Sequence, residues 1–72
     1  MVITKKVPSA WALHRLHQLS FSVPEEVQVR AVDGSMVADA KSPLGLYVLD
    51  FSRPVEIVTD SPAVLEELEA WA

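Results

Sequence analysis

Cysteine is absent from these 72 residues, and its absence excludes several chemistries at once. Disulfide staples, thiol nucleophiles, iron–sulfur clusters and Cys-ligated zinc all require it. Glycine occurs only at positions 34 and 45, so no loop of the GxGxxG or Walker type can cradle a phosphate. Long apolar runs are missing as well: a membrane-spanning helix needs roughly 20 such residues, and the runs here stop after a few. The opening Met1-Val2-Ile3-Thr4-Lys5-Lys6 lacks the apolar stretch of a secretory signal, which sets the expectation of a cytoplasmic protein. Basic side chains are outnumbered, six against ten acidic, for a net charge of −4 and a pI near 4.9. That sign argues against nucleic acid, whose phosphates need clustered Lys or Arg, and against anionic membrane surfaces.

What remains is an apolar fraction of 50%, enough for packing alone to hold one small domain over residues 1–72. A chain of this size buries only about 60% of the surface its unfolded form exposes, which leaves no room for a two-lobed cleft. Five prolines, at 8, 24, 43, 54 and 62, separate patterned segments. Val2 to Lys6 reads as a short strand. Ser9 can cap a helix over Ala10–Ser20, in which Ala12, Leu13, Leu16 and Leu19 form one stripe. Glu26 to Val32 alternate, with Val27, Val29 and Ala31 on one face, and Asp33-Gly34 signals a hairpin because both residues tolerate positive φ. Met36 to Ala40 is the returning strand. Ser42-Pro43 starts a short helix over Leu44–Leu49. Val55 to Thr59 is the last strand, and Ser61-Pro62 opens a helix over Ala63–Trp71, with Val64, Leu65, Leu68 and Trp71 inward and Glu66, Glu67 and Glu69 in water. The order β-α-β-β-α-β-α implies an α+β two-layer domain.

Candidate chemistry is sparse. His14 and His17 lie about one helical turn apart, which suits a metal pair or a phosphate-accepting imidazole. A metal centre needs further ligands, and no Asp or Glu sits at helical spacing on that segment, so solvent-exposed decoration is the plainer reading and no metal is expected. Trp11 falls off the leucine stripe: it either folds under the preceding loop or stands as a partly exposed aromatic anchor, a type enriched at binding hot spots. Ser42 is fully explained as a helix cap, yet a phosphate there would meet free N–H groups, with Lys41 beside it. The carboxylates show no acid–base pattern. A triad of Ser20, His14 and Asp50 has no recognisable oxyanion hole, so the chain is not expected to be an enzyme.

Lys41-Ser42-Pro43-Leu44-Gly45-Leu46-Tyr47-Val48-Leu49 is similar to the K-S-[IL]-[LM]-G-[LIV]-[ML]-x-L segment of the HPr family, the histidine phosphocarriers of the bacterial sugar phosphotransferase system. A strand, the Asp33-Gly34 turn and another strand precede it, where that family has its hairpin. Val55-Glu56-Ile57-Val58 follows at the spacing of the family's fourth strand, and an acidic helix comes last. The resemblance implies an HPr-like open-faced β-sandwich, a four-stranded antiparallel sheet with helices on one face, and no cofactor. It implies that Ser42 matches the serine modified by HPr kinase/phosphorylase, and that Leu44 and Tyr47 match the family's exposed docking patch, to which Trp11 adds. The family's G-[LIVM]-H-A-R-P motif would fall near Val7-Pro8-Ser9-Ala10, where there is no histidine. Leu13-His14-Arg15 echoes it without the Ala or the following Pro, so the phospho-histidine is not carried over and His14 is only a weak catalytic substitute. Pro43 also stands where the family has an aliphatic residue, and the first strand is shorter than the family's. The expectation is therefore a non-catalytic regulatory or docking protein. Its partners would be proteins: Enzyme I, HPr kinase/phosphorylase or a transcription regulator. The alternatives are an active phosphocarrier using His14 or His17, or an orphan scaffold.

Overall fold

Val27, Val29, Val55 and Ile57 alternate with polar or half-exposed neighbours, and this alternation builds the two central strands of the sheet. The computed structural model describes residues 1–47 and 49–71, and the side chain of Tyr47 lies outside the described part. The elements are β1 (Val2–Lys5), α1 (Ala10–Ser20), β2 (Val27–Ala31), β3 (Val37–Asp39), α2 (Pro43–Tyr47), β4 (Val55–Thr59) and α3 (Pro62–Glu69). The strands form one antiparallel sheet in the order β1-β4-β2-β3. Register places Ile3, Ile57, Val29 and Ala38 in a single row across all four strands. The helices cover one face of the sheet, so the molecule is an open-faced α+β sandwich, compatible with the architecture that the resemblance implies.

Between the layers, Ala12, Leu13 and Leu16 of α1, Leu46 of α2 and Val64 and Leu68 of α3 meet Val27, Val29, Val55 and Ile57. Each fully buried Val, Leu or Ile side chain contributes about 1.5–3 kcal/mol relative to its exposed state, and this is the main source of stability in a chain without cross-links. The caps read from sequence form as expected. The Ser9 hydroxyl accepts from the N–H of Ala12 at 3.1 Å, and that of Ser61 from the N–H of Val64 at 3.3 Å, with Pro62 in the first turn.

Four details differ from the sequence reading. The hairpin forms at the Asp33-Gly34 signal as expected, but the two residues do not both take positive φ. Among the described residues only Gly34 does, at 79°, while Asp33 stays on the ordinary side and its Oδ1 accepts from the N–H of Ser35 at 2.9 Å. The loop closes instead through Gly34 N–H to Ala31 O and Ala31 N–H to Met36 O. Next, α2 begins one residue before Leu44, at Pro43, and spans five residues; the expected continuation through Val48 falls outside the described residues. In the third helix, α3 ends at Glu69, so Trp71 reaches the core from beyond the helix, its N–H donating to Leu68 O. Lastly, Glu67 is not a solvated side chain: Arg15 of α1 clamps it, Nε to Oε2 at 3.1 Å and Nη2 to Oε1 at 3.0 Å, and its side chain is only 17% exposed.

Candidate functional site

Where the start of α1 meets α2, the core gives way to a shallow groove of about 60 Å³ lined by Ala10, Leu13, His14, His17, Pro43 and Leu46. Its position follows from local sequence. Ser9 starts α1 close by, and Ser42-Pro43 starts α2 immediately after β3. Gly45 lets α2 approach the sheet, since a Cβ there would lie 3.2 Å from the Cβ of Ala38 and 3.3 Å from Oγ of Ser42. Three bonds hold the turn before α2: Lys41 N–H to Asp39 Oδ1 at 2.9 Å, Ser42 N–H to Asp39 O at 2.9 Å, and Leu46 N–H to Ser42 O at 3.1 Å.

The groove is flanked by large exposed apolar side chains. Trp11 is 66% exposed, which excludes the reading in which it folds under the preceding loop, and Leu44 is 80% exposed. The Trp11 ring lies 5.8 Å from that of His14, and Phe21, also exposed, sits edge-on to His17 at 5.0 Å. Aromatic rings therefore run along α1 from its first turn to its C-cap. Trp11, Phe21 and Leu44 are thus large apolar side chains left in water on the α1 and α2 side of the molecule. Tyr47, the third docking residue inferred from sequence, presents a side chain outside the described part of the structure.

The two histidines are not equivalent. His14 is exposed, as decoration would be. His17 is half-buried, and its Nδ1 lies 2.6 Å from the carbonyl oxygen of Ala40, 23 residues away. A carbonyl only accepts, so Nδ1 carries the hydrogen and neutral His17 keeps its lone pair on Nε2. Nothing in the sequence pointed to this contact, because it depends on how β3 ends beside α1. Ser42 is exposed and its Oγ accepts from the N–H of Gly45 at 3.3 Å, the cap expected from sequence. His14 and His17 share the groove with Pro43, the residue that follows Ser42. Ser20 and Asp50 do not form a triad with His14: the Ser20 hydroxyl is buried and donates to His17 O at 2.6 Å, and Asp50 is engaged with Ser52.

Electrostatically the surroundings of the groove are distinctive. All ten acidic residues fall from Glu25 onward, so the whole segment through α1 carries none, and α2 carries none either. The exception beside α1 is Glu67, already neutralised by Arg15, whose guanidinium holds the Glu67 carboxyl below the ordinary carboxylate range. No group of three or more His, Asp or Glu among the described residues is arranged to hold a metal ion. No described helix is long and apolar enough to cross a membrane. Two larger hollows lie away from the groove: one of about 460 Å³ between the hairpin loop and Asp50–Pro54, and one of about 380 Å³ by Glu25, Glu26 and Asp60.

No family model and no curated protein matches this chain.

Proposed function

We propose that this chain is a non-catalytic docking protein of the HPr type, with the α1–α2 face as its binding surface and Ser42 as a regulatory phosphorylation site. The observation that carries the reading is the pairing of Trp11 and Leu44, both strongly exposed, with an apolar groove between their helices. Large apolar side chains exposed beside a preformed depression are the anchors expected of a protein–protein contact. Scarcity of negative charge on that face favours a partner that offers carboxylates around an apolar centre. A phosphoryl group on Ser42 would add about two negative charges beside the groove and change that complementarity, which makes the site a switch. The Lys41-Ser42-Pro43-Leu44-Gly45 segment supports HPr kinase/phosphorylase as the modifying partner. Enzyme I and a transcription regulator are the other candidates for the docked protein.

The test is incubation with HPr kinase/phosphorylase and ATP, read by intact mass. Wild type is expected to gain one phosphoryl group and Ser42→Ala none; an unmodified wild type would remove the switch. A parallel incubation with phosphoenolpyruvate and Enzyme I examines the phosphocarrier alternative. An acid-labile adduct lost in His14→Ala or His17→Gln would overturn the non-catalytic reading.

A further inference from the structure

The groove between α1 and α2 holds two imidazoles whose arrangement has a use independent of docking. His14 and His17 are three residues apart on one helix and line the same depression. Because Nδ1 of His17 is spent on the Ala40 carbonyl, its ring is oriented from behind and Nε2 is the nitrogen left to act as a ligand. This is the arrangement by which proteins prepare a histidine for a metal: the far ring nitrogen donates to a carbonyl, which fixes the tautomer and raises the basicity of the ligating one. His14, exposed and leaning on the Trp11 ring, is the freer arm.

We infer that His14 and His17 form a two-imidazole binding site for a divalent transition-metal ion of the zinc, nickel and copper class. Imidazole nitrogens select these ions over magnesium, calcium or manganese, which prefer oxygen donors. Two protein ligands leave the remaining coordination positions to water or to a group brought by a docked molecule. The site is therefore open, of moderate affinity, and distinct from a closed structural centre of four protein ligands. The acid-poor setting of α1 has a consequence for selectivity. A carboxylate-loving ion has nothing to hold it here and would distribute over the acidic residues elsewhere on the chain.

Calorimetric titration of the full chain with Zn²⁺, accompanied by ¹H–¹⁵N spectra of the imidazole rings, tests the inference. One saturable ion per chain is expected, with the largest shifts at Nε2 of His17 and on the His14 ring. Copper should bind more tightly than zinc, and magnesium should leave both rings unmoved. His14→Ala, at an exposed position where folding is not at risk, is expected to weaken zinc binding by at least about tenfold, and His17→Gln to do the same. Zinc binding of undiminished affinity in His14→Ala, or saturation with zinc that leaves both imidazole rings unmoved, would overturn it.

Discussion

Leu16 illustrates how little slack the core has. It is 1% exposed and stands at the middle of the α1 stripe, facing the sheet. Leu16→Ala is expected to lower unfolding free energy by about 2–5 kcal/mol, measured by urea denaturation, against a total of about 4–11 kcal/mol for a chain of this length. Trp71 calls for a different substitution. It is buried, but its indole N–H finds no acceptor within hydrogen-bonding reach among the described residues. The neighbouring Glu67 carboxylate, already taken by Arg15, feels that N–H only as a weak lowering of its pKa. Trp71→Phe should therefore stay within about 1 kcal/mol of wild type, because the lost ring volume is offset by the removal of an unsatisfied donor. Trp71→Ala should cost about 3–5 kcal/mol. The inward stripe was legible residue by residue because apolar periodicity reports burial directly. Glu67 was not, since its helical position alone makes it wet; only the packing of α1 beside α3 brings Arg15 within reach.

Among the elements, the α1–α3 contact carries an ion pair whose strength depends on pH. Arg15 depresses the Glu67 carboxyl chiefly through the hydrogen bond, and a carboxyl lowered on folding stabilises the protein above its unfolded pKa. That contribution is lost as pH falls through the lowered value. Wild type should thus exceed Glu67→Gln in thermal midpoint at pH 7, and the gap should close below about pH 4, as followed by circular dichroism. The β2–β3 hairpin depends on Gly34, whose φ of 79° is strained for any residue with a Cβ. Gly34→Ala should cost about 1–2 kcal/mol. Gly45→Ala tests the seating of α2. Helix propensity alone favours alanine by about 1 kcal/mol, yet the new Cβ would crowd Ala38 at 3.2 Å on a strand that cannot rotate away, so a net loss is expected. Element types and caps could be read from Ser9, Ser42-Pro43 and Ser61-Pro62 because those signals are local. The Asp33-Gly34 hairpin signal was local in the same way, whereas the bond from Ser35 N–H to the Asp33 carboxylate depends on the loop that forms around it.

For the whole molecule, stability and the proposed docking fall on different surfaces. The core lies between sheet and helices, while Trp11 and Leu44 are exposed outside it. Their loss should change stability by no more than about 0.5 kcal/mol, so any loss of binding in Trp11→Ala or Leu44→Ala is a surface effect. The exposed leucine was foreseeable from the motif around it, whereas the ring of aromatics from Trp11 to Phe21 and the anchoring of His17 to Ala40 emerge only once β3 and α2 are set against α1. The most direct test of the docking surface is a ¹H–¹⁵N titration of the chain with HPr kinase/phosphorylase. The expected result is perturbation confined to α1, α2 and the Trp11 indole, with affinity reduced at least about tenfold in a Trp11→Ala, Leu44→Ala double variant. An unperturbed spectrum, or a double variant that binds as tightly as wild type, would contradict it.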